Sequence, residues 1–595
     1  MSPTSTSPAT RARRIGRSSA VALGSGAVLV AGSGGLLAVT SSAAMANPVI
    51  SVSNTNDNGP GSLRSAINDA NTTPGADVIS FDAGLTGTIS LASDLPTINE
   101  AVDILGVSGV TIDGGWRDGT PGGSTVFYFA AVSGSVTISD VSIVGSYKGA
   151  NSFYGSAIMF LNATADVVID NVSITNSYAL EGGPIGIKGH TGGSVTISNS
   201  TISGNKGHDE GGAITVGSDG TNVNLISDVI DGNANDSGEG GALYLSVDNG
   251  TTTISNSTLT NNESSIEGGA LHLSRGDLII SNSTFSGNHV VDGSGGALYL
   301  DGGMVDISNS TFSGNSATTT GNYGNGGAIT GYAETLHISG SSLTNNTAAA
   351  SGGAISVNAE FLEIESSTIA GNTAALGGGG IHVEGNTVTR IANSTIATNR
   401  ANGGEGGAIE GSTGGLTLIA DTITQNQSVG ISGVSVTTPE IAPGSVHSRS
   451  AKRGLTPAGS ITAVVGPLTL DSTILAGNGS TDLGQGAGAT AIVVTSTHSL
   501  IGTSLVPVTD EGGTQTGVTG AALLLGPLTN NGGPTSTFAL LAGSPAIDAG
   551  PATLPAFPGS DFDQRGSGFA RVVNGLVDIG AYEIQDPTVK PSFTG

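Results

Sequence analysis

Cysteine is absent from the 595 residues, which excludes disulfide staples, thiolate metal centres and thiol nucleophiles. Positive charge is scarce: 18 Lys and Arg face 46 Asp and Glu, a formal net charge of −28. Such a surface repels nucleic acids and anionic membranes and favours divalent cations or cationic partners. Aromatic residues make up 4% and charged residues 11% of the chain, both odd for a globular enzyme. Phosphate-cradling Gly-rich loops, catalytic-triad motifs and zinc-ligand spacings are missing too, and the eight His are scattered without an H-x-x-H pattern. What the chain has in quantity is glycine, 97 residues. Glycine supplies positive φ at tight turns, so this composition suits many short strands closely linked.

The N-terminus reads as an export signal. Arg11, Arg13, Arg14 and Arg17 form a basic start, residues 20–39 are small and apolar, and Ala44-Met45-Ala46 is an A-x-A cleavage site before Asn47. No segment after it is long and apolar enough to span a bilayer.

Two marks then recur in step. Gly-Gly-Ala or a near variant begins at Gly182, Gly211, Gly240, Gly268, Gly295, Gly326, Gly352, Gly378 and Gly406, a mean interval of 28 residues. A segment like Ile-Ser-Asn-Ser-Thr-Phe-Ser-Gly-Asn ends at Asn205, Asn233, Asn262, Asn288, Asn315, Asn346, Asn372, Asn399 and Asn426. Within a unit, stretches of three to five β-prone residues alternate apolar and polar, and none shows ten residues of helical period. Three short strands per turn describe an all-β, single-stranded right-handed parallel β-helix. Roughly 14 coils spaced by about 4.8 Å make a rod about 65 Å long. In the unit from Gly268 the expected inward residues are Leu271, Leu273, Ile279 and Phe285. The terminal Asn residues are expected to stack as an internal ladder, which would also account for the Asn-Ser-Thr triplets at Asn199, Asn256, Asn282, Asn309 and Asn393.

Open coil ends need covering. Ser62 followed by Leu63, Ala66, Ile67 and Ala70 predicts a short amphipathic helix as N-terminal cap. The step from Asn426 to Asn478 spans nearly two coils and includes a Ser/Pro stretch, 437–457, expected as a loop. The expected organisation is signal 1–46, N-terminal cap 47–101, β-helix 102–482, C-terminal region 483–586 and tail 587–595.

On these marks the chain resembles the repeats of polymorphic outer-membrane proteins and, more broadly, right-handed β-helix proteins of the pectin-lyase-like fold. The segment Leu528-Thr-Asn-Asn-Gly-Gly-Pro, Gly543-Ser-Pro-Ala-Ile-Asp-Ala-Gly550, Asp563-Gln-Arg-Gly566 and Asp578-Ile-Gly-Ala-Tyr-Glu583 resembles the choice-of-anchor Q domain of bacterial surface proteins. Gly59-Pro60-Gly61-Ser62-Leu63-Arg64-Ser65-Ala66 is similar to the CSLREA module, with Gly61 where that family has cysteine. The resemblance implies an exported bacterial β-helix, secreted or displayed at the cell surface. Only residues 584–595 follow the last motif, so free secretion or non-covalent association is expected.

Two rows follow from the repeat. Glu181, Glu210, Glu239 and Glu267 precede Gly-Gly in four consecutive units, and stacked one strand spacing apart they form a carboxylate row that Ca²⁺ would neutralise. Solvated, salt-screened carboxylates are the alternative. Beside them, Tyr244, His272 and Tyr299 are expected to make a solvent-facing stripe on which sugars stack, with Asp292 nearby. The expected function is a non-enzymatic, glycan-binding or adhesive β-helix whose partner is an extracellular polysaccharide or cell-envelope surface. The alternative is a polysaccharide lyase or glycoside hydrolase using the Glu239–Tyr299 face, with Asp292 and Glu267 or Glu239 as carboxylates, or Arg275 beside His272 as base. The marks Gly189-His190-Thr191 and Gly207-His208-Asp209 are the nearest approach to hydrolase motifs.

Overall fold

The computed structural model describes residues 49–118, 120–149, 155–319, 324–429, 434–436, 467–485 and 492–585, all within the unit Asn47–Gly595. The expected signal, the 437–457 loop and the 587–595 tail lie outside the described residues. The architecture is a parallel β-solenoid of about 14 turns. Its strands form three stacked sheets of 24, 16 and 11 strands.

One coil shows why this sequence makes these strands. Leu271–Ser281, Thr284–Ser286 and His289–Val290 follow one another and each pairs in parallel with its equivalent in the next coil. Alternate residues point inward, so Leu271, Leu273, Leu278, Ile280, Phe285 and Val290 are fully buried. Ile279, expected inside, is 42% exposed. The long strand bends at Gly276, whose φ is +93°, and the bend shifts the alternation by one residue. Like then stacks on like: the rings of Phe285 and Phe312 lie 4.8 Å apart and nearly parallel.

The Gly-Gly-Ala mark has a steric cause. Gly268 sits at φ +65°, and a Cβ on Gly269 would lie 2.1 Å from the carbonyl oxygen of Gly296 one coil on. The first glycine turns the chain and the second lets neighbouring coils touch backbone to backbone.

The Asn ladder is present and fully buried. Asn288 donates through Nδ2 to Asn315 Oδ1 and to Leu259 O, both at 3.0 Å, and its own N–H donates to the same Asn315 Oδ1. The pattern runs from Asn205 to Asn478 and ends on the carboxylate of Asp482. The triplet residues are not part of it. Asn199, Asn256, Asn282, Asn309 and Asn393 hold the left-handed corner after the long strand, with φ from 47° to 56°, a conformation Asn tolerates because its side chain bonds locally. The Ser that follows each of them builds a second ladder: Ser257 N–H donates to Ser283 Oγ, Ser283 N–H to Ser310 Oγ, and so on to Asp421.

The ends also differ from expectation. Parallel pairing starts with Val49–Val52 on Asp77–Phe81 and continues to Thr509–Gly512 on Val494–Thr497, so the solenoid extends beyond 102–482 in both directions. Asn426 bonds directly to Asn478, which makes the 52-residue step a single coil carrying an insertion. The helix Leu63–Ala70 starts on the Ser62 hydroxyl, which accepts from Ser65 N–H, and buries Leu63, Ala66, Ile67 and Ala70 in the core beside the first coils. After Gln515–Thr516 the chain doubles back. The hairpin Leu525–Thr529/Thr537–Leu540 and the loops to residue 585 lie over the short strands Thr368–Ala370, Thr395–Ala397 and Thr422–Thr424.

Candidate functional site

The Glu-Gly-Gly turn folds each Glu back over the outer face of the strand that follows, five residues ahead. In one coil Thr215 Oγ1 donates to Glu210 O at 2.7 Å. Two coils on, the residue in that position is His272, whose Nδ1 faces the Glu267 carboxylate. Register brings Thr215, Tyr244, His272 and Tyr299 into one column, and bridges bring Glu210, Glu239, Glu267 and Ser294 into another. The His272 ring lies between two tyrosines, 5.2 Å from Tyr244 and 5.1 Å from Tyr299, stacked on both. Its Nδ1 is 3.5 Å from Glu267 Oε2 and its Nε2 is 3.7 Å from Glu239 Oε2.

The expected solvent-facing stripe is therefore recessed. His272 is 4% exposed and Glu267 8%, while Tyr244 and Tyr299 are half-buried. Burial and the neighbouring Glu267 carboxylate push the Tyr299 phenol pKa up. The carboxylate row as bridged begins at Glu210; Glu181 is half-buried but does not belong to the bridged column.

A second site lies on another side of the solenoid. Between Asp113 and Thr125 the chain leaves the coil, and Trp116 N–H and Ser124 N–H tie the excursion down through Gly145 O and Gly114 O, both at 2.7 Å. Trp116 stacks on Tyr178 at 5.5 Å, and Tyr178 on Tyr147 of the preceding coil at 5.7 Å. Beside this stack is a cleft of about 350 Å³ lined by Trp116, Arg117, Asp118, Val144, Asn176 and Lys206, among others. Its cations are already matched: Arg117 pairs with Asp113 and Lys206 with Asp118, each at 2.8 Å. Sequence reading passed over this site, although Trp116 is the one tryptophan in the chain.

A family model described as "Right handed beta helix region" matches residues 125–312 and 268–442, which together cover more than half of the chain. The chain belongs to the right-handed β-helix family. No curated protein and no solved structure matches it.

In this right-handed β-helix the remaining expected site residues stand apart. Asp292 is exposed on a turn and accepts from Thr319 Oγ1 at 3.3 Å. Arg275, offered as a lyase base, instead pairs with Asp248 at 2.8 Å, because the bend at Gly276 carries it toward the preceding coil. His190 is fully buried between Thr221 Oγ1 and Ala165 O, and burial lowers its pKa. His208 sits at the surface against Asp236 at 2.5 Å. His382 occupies the same strand position as His272, but Gly377 stands where a Glu would be and the Glu410 carboxylate fills that space, 3.5 Å from Nδ1.

Proposed function

We propose that the protein is an exported β-helix that binds uncharged glycans non-catalytically, at the cell surface or in the extracellular space. The cleft beside Trp116, Tyr178 and Tyr147 carries this reading. Its volume is that of a small-ligand site, the Trp116 side chain, 6% exposed, forms part of one wall, and Asp118 and Asn176 offer hydroxyl-bonding groups. Charge selects the ligand class. With Arg117 and Lys206 already neutralised and a chain of net charge −28, an acidic polysaccharide gains little and is repelled at long range. The signal-like residues 1–46 and the choice-of-anchor Q resemblance of residues 528–583 support the location. Nucleic acid and anionic membrane are poor partners for the same electrostatic reason.

The test is a panel of neutral and acidic polysaccharides with the full chain, followed by calorimetry on hits. Neutral glycans should bind, Asn176→Ala and Asp118→Ala should each weaken binding at least tenfold, and Tyr244→Ala should not. Release of unsaturated or reducing ends would replace this reading with a catalytic one. Binding only to acidic polymers would overturn it.

A further inference from the structure

We infer that Glu239, Glu267 and His272 form a binding site for one divalent transition-metal ion of the zinc class, independent of any glycan bound at the Trp116 cleft. One donor atom from each residue comes within 4.8 Å of the other two. Glu267 Oε2 lies 3.5 Å from Nδ1 and Glu239 Oε2 lies 3.7 Å from Nε2; an ion takes only one ring nitrogen, so one carboxylate keeps its place and the other swings to it, closing the set to the edges of a tetrahedron whose arms are about 2.0–2.2 Å.

Three further features point the same way. First, the imidazole is fixed: Tyr244 and Tyr299 clamp its faces, so its ring edge is held toward the two carboxylates. Second, the charge calls for a cation. Glu239 and Glu267 are bridged on neighbouring coils, and Glu267 and His272 are more than nine-tenths buried. An imidazolium supplies one positive charge against two carboxylates, whereas a divalent ion balances both. Third, the donor set selects the metal. Calcium wants six to eight oxygens at about 2.3–2.6 Å, while one imidazole and two carboxylates suit zinc, cobalt or manganese. This changes the expectation from a calcium row along Glu181–Glu267 to a single three-residue site completed by water. Among the described residues the set occurs once: beyond it the Glu position becomes Ser294, Asn325, Ser351 and Gly377 before Glu405, and the His position becomes Tyr299, Thr330 and Ser356 before His382.

The experiment strips the full chain with a chelator and titrates it with Zn²⁺, Co²⁺ and Ca²⁺. One equivalent of Zn²⁺ should bind more tightly than Ca²⁺ by at least a hundredfold. Co²⁺ should give the visible absorption of a four- or five-coordinate site, bleached by added Zn²⁺. Glu239→Gln, isosteric and at a half-buried position, and His272→Asn should each weaken Zn²⁺ at least tenfold. His382→Ala should leave it unchanged. The Co²⁺ spectrum of the unaltered chain reports the site even if His272→Asn disturbs folding. Substoichiometric Zn²⁺, tighter binding of Ca²⁺, or unchanged affinity in Glu239→Gln overturns the inference.

Discussion

Asn282 and Asn288 stand six residues apart and carry the same amide for different purposes. Asn282 holds a left-handed corner with φ 49°, which glycine does at least as well. Asn288 makes buried hydrogen bonds to the coils on either side. Removing its amide takes the acceptor from Asn262 N–H and from one of the two Asn262 Nδ2 hydrogens, and the side-chain donor from Leu259 O, at a cost of about 1–3 kcal/mol for each buried group left unpaired. Asn288→Ala should therefore lower stability by about 3 kcal/mol in urea titration, while Asn282→Gly should stay within about 0.5 kcal/mol. Equal losses would show that the triplet Asn belongs to the ladder after all. The sequence marks both positions with the same residue type, and only backbone conformation separates the roles.

Along the serine ladder, two coils break the pattern with an acid. Asp228 accepts from Ser200 N–H and Ile226 N–H, yet burial outweighs these bonds and pushes its pKa up to about 7. The folded state thus prefers the protonated acid, so this group's stabilisation is complete below about pH 4 and is lost as pH rises through 7. Asp228→Ser restores the residue found at Ser200 and Ser257 and should remove that pH dependence. Above pH 7 the variant gains up to about 4 kcal/mol over the parent, read from denaturation midpoints at pH 5 and pH 8. Identical pH profiles in the two proteins would refute the assignment. At this scale the strands themselves were legible from apolar alternation, but their phase was not. Leu278 and Ile280, rather than Ile279, face the core because the bend at Gly276 shifts the alternation between the two halves of the strand.

For the molecule as a whole, the C-terminal return segment closes over the short strands. Gln564 bridges Ser367 O, Thr368 and Thr395, and the fully buried Arg571 donates to Asn393 Oδ1 and, at 2.7 Å, to Gly580 O. Asp563, Arg565, Asp578 and Glu583, which carry the choice-of-anchor Q resemblance, bond to one another and to this backbone. They form a lock rather than a surface site. Arg571→Ala leaves its buried acceptors unpaired and should cost about 3–5 kcal/mol. A lower melting temperature and early proteolytic release of a C-terminal fragment, with the coils before Asn393 still protected, would show it. An unchanged digestion pattern would count against the lock.

The 28-residue period, the apolar alternation and the repeated Asn determined the solenoid from sequence alone, because in a parallel stack each residue's neighbour is its own counterpart one coil away. The same logic found the Glu and Tyr-His-Tyr columns. Depth was decided only in three dimensions. Whether Glu267 and His272 face water depends on how the Glu-Gly-Gly turn folds back, and the cover over the Thr368–Thr424 strands comes from residues more than 150 positions away. Trp116 reaches Tyr178 through an excursion outside the repeat. Periodicity records contacts between adjacent coils, and it carries no trace of contacts made across turns or by a returning chain.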